Sequence, residues 1–140
     1  MSCVFCDIVE RKSKSEIIFE NEHIISFLDI HPVSYGHTLI ITKKHFDSIL
    51  DVPGDLLSLI MKDVQTLAKK INKSLPADGF NLVANSGSAA GQSVFHFHLH
   101  IIPRLKKDDF KFNPKFIHYT NDEFRGLGSK LRSFINNEVV

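Results

Sequence analysis

The chain has 140 residues, 43% of them hydrophobic, enough for one compact core that hides roughly two-thirds of the surface exposed by the unfolded chain. Its 17 basic and 16 acidic residues leave a formal charge of +1, which excludes the broad basic footprint of a nucleic-acid binder and leaves ligand selection to a local site. No run approaches the ~20 apolar residues of a membrane span, and the opening "MSCVFCDIVERKSK" lacks the pattern of a secretion signal, so no membrane partner and a cytoplasmic location are expected.

A short first helix or turn carries Cys3 and Cys6. In a reducing compartment a Cys-x-x-Cys pair reads as a metal knuckle, a redox pair or two small buried residues rather than a structural disulfide. "SEIIFE" (15–20) and "HIISFLD" (23–29) are β-rich runs split by Asn21 and Glu22, the pattern of a hairpin. "HPVSYG" (31–36) supplies a turn, and "HTLIIT" (37–42) resumes the β-branched pattern before "KKH". Between residues 53 and 75 the period changes. Leu56, Leu57, Ile60, Met61, Val64, Leu67, Ala68, Ile71 and Leu75 recur three and four apart, which predicts an amphipathic helix.

Pro76 and Gly79 end that helix, and "FNLVAN" (80–85) reads as a fourth strand. The loop "SGSAAGQS" leads into "VFHFHLHIIPR". Phe124, Leu127, Leu131, Phe134 and Ile135 predict a C-terminal helix, against the cost of Gly126 and Gly128. No repeat or linker marks a boundary, so residues 1–140 are expected to form one domain. The fold class is α+β, a mostly antiparallel sheet with a crossing helix and a helix at the end.

On a strand alternate side chains share a face, so His96, His98 and His100 should project together, about 6.5 Å apart from one to the next, with Phe95, Phe97, Leu99 and Ile101 facing the core. Three imidazoles on one face each need a partner. They suit a zinc site, since histidines two apart can reach one metal. They also suit an imidazole nucleophile towards phosphorus, with neighbouring donors taking up the developing charge. Gly87 and Gly91 in the preceding loop would let backbone amides approach an anion, with Ser86, Ser88, Gln92 and Ser93 as further donors. The loop lacks the Gly-Lys-Ser/Thr ending of a P-loop, which excludes that ATPase class.

The run from His96 to Ile102 resembles the signature of the histidine triad (HIT) nucleotide hydrolases and transferases. "VFCDI", "FLDI", "GHTLIITKKH", "NLVANSG" and "AGQSVFHFHLHIIPR" stand in that family's order and spacing, over residues 3–104. The resemblance implies a five-stranded antiparallel sheet and a homodimer. It implies that His98 attacks the α-phosphorus of a purine nucleotide conjugate to give a nucleotidyl-histidine, with His100 and His37 lining the phosphate. Asn85, Gln92 and Ser93 match the phosphate and ribose contacts, and Phe5, Phe27, Asp29 and Ile30 the purine and ribose pocket. Core packing competes with that role for the three apolar residues, and a turn role for Asp29.

Gln92-Ser93 in "GQSVFH" also resembles the phosphoramidase branch, where a serine helps protonate an amine leaving group. Dinucleoside polyphosphate hydrolysis, or a non-enzymatic nucleotide-binding role, is the alternative. In the branch with an N-terminal Cys-x-x-Cys, similar cysteines share a structural zinc with a "KxH" histidine and the first triad histidine, which here are His45 and His96. Thr42 and His31 are read as positions away from the chemistry, and residues 105–140 carry no strong motif.

Overall fold

The computed structural model describes residues 3–137. They group into two compact units that part between Phe110 and Lys111. The first unit is built on five strands, β1 (Ile17–Glu20), β2 (Ile24–Leu28), β3 (Thr38–Thr42), β4 (Gly79–Val83) and β5 (His98–Arg104). They form one antiparallel sheet in the order β1-β2-β3-β5-β4, so the expected fold class holds. Two helices belong to the same unit, α1 (Val4–Val9) and α2 (Gly54–Ser74).

The turn between β1 and β2 is closed by Asn21, whose side-chain oxygen accepts from the backbone N–H groups of His23 and Ile24 at 2.9 and 3.0 Å, the usual way Asx side chains substitute for backbone in turns. β2 and β3 are buried almost throughout, Ser26, Thr38 and Thr42 included, because both faces of the central sheet are covered. On one face Ile24, Ile40, Leu99 and Ile101 pack with Ile60, Val64, Leu67 and Ala68 of α2. On the other, Ile25, Phe27, Leu39 and Ile41 pack with Phe5 and Ile8 of α1. Each of these side chains larger than alanine contributes about 1.5–3 kcal/mol by leaving water. Met61, expected on the buried stripe of α2, stays 38% exposed on its outer side.

β5 begins at His98 and not earlier. The N–H of Phe97 bonds to the carbonyl of Phe46 at 2.6 Å, away from the sheet ladder, so His96 lies in a bend ahead of the strand. Phe95, expected in the core, is 50% exposed for the same reason, whereas Phe97, Leu99 and Ile101 are buried as expected.

The second unit holds α3 (Asn121–Asn137). Its start is fixed by a reciprocal cap. The Glu123 carboxylate accepts from the Thr120 N–H at 2.8 Å, and the Thr120 hydroxyl accepts from the Glu123 N–H at 3.2 Å. That pairing satisfies two N-terminal donors and helps offset the internal glycines. The predicted stripe of Phe124, Leu127, Leu131, Phe134 and Ile135 is helical but exposed. Among the described residues no helix is long and apolar enough to cross a membrane.

Candidate active site and metal centre

Register across the sheet aligns Ile17 with Phe27, Phe27 with Leu39, and Leu39 with His100. These side chains share the face covered by α1, and the row from β1 to β5 spans three strand spacings, about 14 Å. A cleft of about 550 Å³ opens over it. It is lined by seven residues the sequence singles out, Phe5, Phe27, Asp29, Ile30, Ser93, His98 and His100. Ile30 is 81% exposed and forms the lip, while Phe5 and Phe27 are buried and meet edge to face at 5.8 Å between ring centres.

Sequence reasoning missed Val4, Ile8, Leu39 and Val94 on the same walls, and Ser13, Lys14 and Ser15 at the β1 end. Ile8 was findable, three residues after Phe5 on one helix face, and Leu39 from its pairing with Phe27. Ser13, Lys14 and Ser15 carry no motif. His31, read as remote from the chemistry, lines the cleft, because its N–H bonds back to Asp29 Oδ1 at 2.8 Å and the turn is tight.

Asn85 and Gln92 do not line the cleft. Gln92 is buried, and its amide holds the loop shut, accepting from the Gly87 N–H at 2.8 Å and donating to the carbonyls of Asp47 and Val94 at 2.6 and 3.1 Å. The N–H groups of Ala90, Gly91 and Gln92 also bond within the loop. Gly87 and Gly91 are needed for their positive φ of 88° and 90°, a conformation that side chains with a Cβ resist. The expected cradle of free loop amides is therefore mostly consumed by the loop itself, and Ser93, exposed at its end, is the part that faces the cleft.

The imidazoles are fixed in defined tautomers. His98 Nδ1 lies 2.7 Å from the carbonyl oxygen of His96. A carbonyl only accepts, so Nδ1 carries the hydrogen and Nε2 holds the free lone pair. The Val33 N–H donates to His37 Nδ1 at 3.2 Å, which puts the hydrogen of His37 on Nε2. That nitrogen donates to His100 Nδ1 at 2.9 Å, leaving His100 with an Nε2–H as a donor. The His98 and His100 rings stand 5.0 Å apart.

Burial lowers the pKa of His37, against the opposing pull of Asp29, and burial with the neighbouring imidazoles lowers His100 to about 4. His37 and His100 are therefore neutral at pH 7. Asp29, His37 and His100 also bring one donor atom each within 4.8 Å. The hydrogen on His37 Nε2 makes that group a hydrogen-bond relay and not a metal site.

A second cluster sits at the other end of α1. Donor atoms of Cys3, Cys6, His45 and His96 lie within 4.8 Å of one another. Cys3 Sγ is 3.4 Å and Cys6 Sγ 3.6 Å from His96 Nδ1, and Cys6 Sγ is 3.3 Å from His45 Nδ1. A tetrahedral ion with ordinary zinc–sulfur and zinc–nitrogen bonds separates its ligands by about 3.5 Å. The far nitrogens are already engaged, His96 Nε2 with the carbonyl of Thr42 at 2.7 Å and His45 Nε2 with Asp47 Oδ1 at 2.9 Å.

Such outer contacts leave each Nδ1 lone pair pointing at the common centre and raise its basicity. Thr42, read as remote, supplies one of them. Burial and the adjacent Cys3 push the Cys6 thiol up to about 11, so the thiolate pair is costly without a cation beside it. The four residues fit a closed Cys2His2 ion.

Residues 10–107 match the HIT domain. The chain belongs to the HIT family. It is similar to a HIT family protein of Bacillus subtilis, with a TM-score of 0.86, 34% identity and coverage of 95% of this chain and 96% of that one. A Zn-bound histidine triad family protein from Mycobacterium smegmatis superposes with a TM-score of 0.75 at 36% identity, covering 99% of both chains. A Saccharomyces cerevisiae relative named adenosine 5'-monophosphoramidase HNT1 is 36% identical over 103 residues, 74% of this chain and 63% of that one. For a HIT chain, the cleft and the triad histidines thus stand where the family signature is.

Proposed function

We propose that this HIT protein is a purine nucleotide hydrolase or nucleotidyl transferase that cleaves nucleoside phosphoramidates or related conjugates through a nucleotidyl-histidine. The observation that carries this reading is the tautomer of His98. Its Nδ1–H is held by the His96 carbonyl, so the unprotonated Nε2 is presented beside a cleft with apolar walls and polar His100 and Ser93. The base lies against the apolar wall that Phe5 and Phe27 help to form, and Asp29 accepts from the sugar. His98 Nε2 forms a bond to the α-phosphorus as the bond to the leaving group breaks.

His100, with its Nε2–H supplied by the relay through His37, donates to the phosphate oxygens as charge builds there. The Ser93 hydroxyl, exposed to solvent, relays a proton from water to a departing amine. Water then attacks phosphorus, releases the nucleotide and frees His98. The cluster of Cys3, Cys6, His45 and His96 is proposed to hold a structural zinc, whose role when bound is to tie α1 to the bend before β5. The yeast relative's name supports a phosphoramidate substrate, and the zinc-bound relative supports the metal.

Turnover of adenosine phosphoramidate and of a diadenosine polyphosphate by purified protein, compared with His98→Ala, tests the reading. The phosphoramidate is expected to be the better substrate, with a loss of about a thousandfold or more in the variant. Diadenosine polyphosphate turned over more than tenfold faster would move the assignment to polyphosphate hydrolysis. Binding without turnover of either would leave a nucleotide-binding protein.

A further inference from the structure

The cleft has two chemically different ends. Its reacting end is at β5, with His98 and His100. The register row that begins at His100 passes Leu39 and Phe27 and ends at Ile17, and Ser13, Lys14 and Ser15, just before Ile17, close the cleft there. Asp29 and His31 also line the cleft, while Phe5, Ile8, Phe27 and Leu39 offer a base contact area alone. A purine with its phosphate at His98 and its sugar at Asp29 has its far edge directed at the end formed by Ser13, Lys14 and Ser15.

The Ser15 hydroxyl oxygen is enclosed and lacks a hydrogen-bond partner among the described residues. An unpaired hydroxyl in such a place is costly until a ligand supplies the partner. Lys14 is exposed beside it and is a donor only, with three N–H groups and no acceptor. A donor-only group favours the purine edge that carries two acceptors, O6 and N7 of a 6-oxopurine. The corresponding edge of a 6-aminopurine pairs one acceptor with a donor that repels it.

We propose that Ser13, Lys14 and Ser15 form the base-reading end of the cleft and select 6-oxopurine nucleotides over 6-aminopurine nucleotides. This rests on the nucleotide reading of the cleft. The yeast relative's name specifies adenosine, so the bases are to be compared directly. Calorimetric titration of the whole protein with GMP, IMP and AMP does so without chemistry at phosphorus.

GMP and IMP are expected to bind about tenfold more tightly than AMP, the size of discrimination one charged hydrogen bond gives. Lys14→Met should bring the three within about twofold of one another, Lys14→Arg should keep the preference, and Ser15→Ala should weaken all three. Equal binding of the three nucleotides by the parent, or a preference unchanged in Lys14→Met, overturns the inference and leaves the nucleotide cleft standing. Selection of GMP but not IMP over AMP also overturns it, because the 2-amino group would then be what is read. Failure of all three to bind at millimolar concentration overturns this inference and the function together.

Discussion

One backbone carbonyl, that of His96, decides which nitrogen of His98 can attack, and one backbone N–H, that of Val33, sets the tautomers of His37 and His100. Burial keeps the His37 and His100 rings neutral, which has a measurable consequence. His37 and His100 fall below the ordinary imidazole range on folding, His100 from 6.5 to about 4, so between those values the unfolded chain binds more protons than the native one. Stability is then full above about pH 6.5 and declines as the pH falls towards 4. Thermal melts over that range at constant zinc content should show the decline, and His100→Asn should flatten it; parallel slopes in the two proteins would contradict it.

His98, His100, Phe5, Phe27 and Asp29 were legible because a motif or alternation on a strand specifies them. The engagement of Gln92 with Asp47 and the approach of His31 to the cleft were not, since both depend on how loops fold back.

At the scale of elements, patterning located the five strands and α2. It extended β5 too far at its start, because a bond from Phe97 to Phe46 competes with the ladder and turns His96 towards Cys3 and Cys6. That bend is where the cleft and the cysteine cluster meet. Phe5 lies between the two cysteines on α1, and its ring is 5.0 Å from His98 and 5.8 Å from His96.

A metal held by Cys3, Cys6, His45 and His96 forms only in the native chain, so its binding free energy adds to folding. Stoichiometric zinc is expected to survive gel filtration. Cys3→Ser or Cys6→Ser should release it and lower the melting temperature, with a smaller loss of catalysis than His98→Ala. Freely reactive thiols and no metal in protein prepared without chelator would contradict the zinc.

For the whole molecule, β4 is an edge strand, and Phe80 and Leu82 on it are 42% and 40% exposed. The apolar stripe of α3 is exposed as well. An unprotected edge is a liability that pairing across a two-fold axis removes, in keeping with the homodimer that the family resemblance implies. Sedimentation at micromolar concentration is expected to give twice the 15.9 kDa chain mass, and Leu82→Lys should shift the balance towards the monomer. A single 15.9 kDa species for the parent would contradict the dimer. The sequence could not show that the C-terminal helix leaves its stripe uncovered, because helical period reports which residues share a face and not what covers them.

The nucleophile itself is tested most directly by acid-quenching the protein during turnover of an adenosine phosphoramidate and mapping the adduct by mass spectrometry. An adenylyl group on the peptide containing His98, absent in His98→Ala, is the expected result; turnover by the parent with no adduct there, or an adduct that persists in the variant, would contradict it.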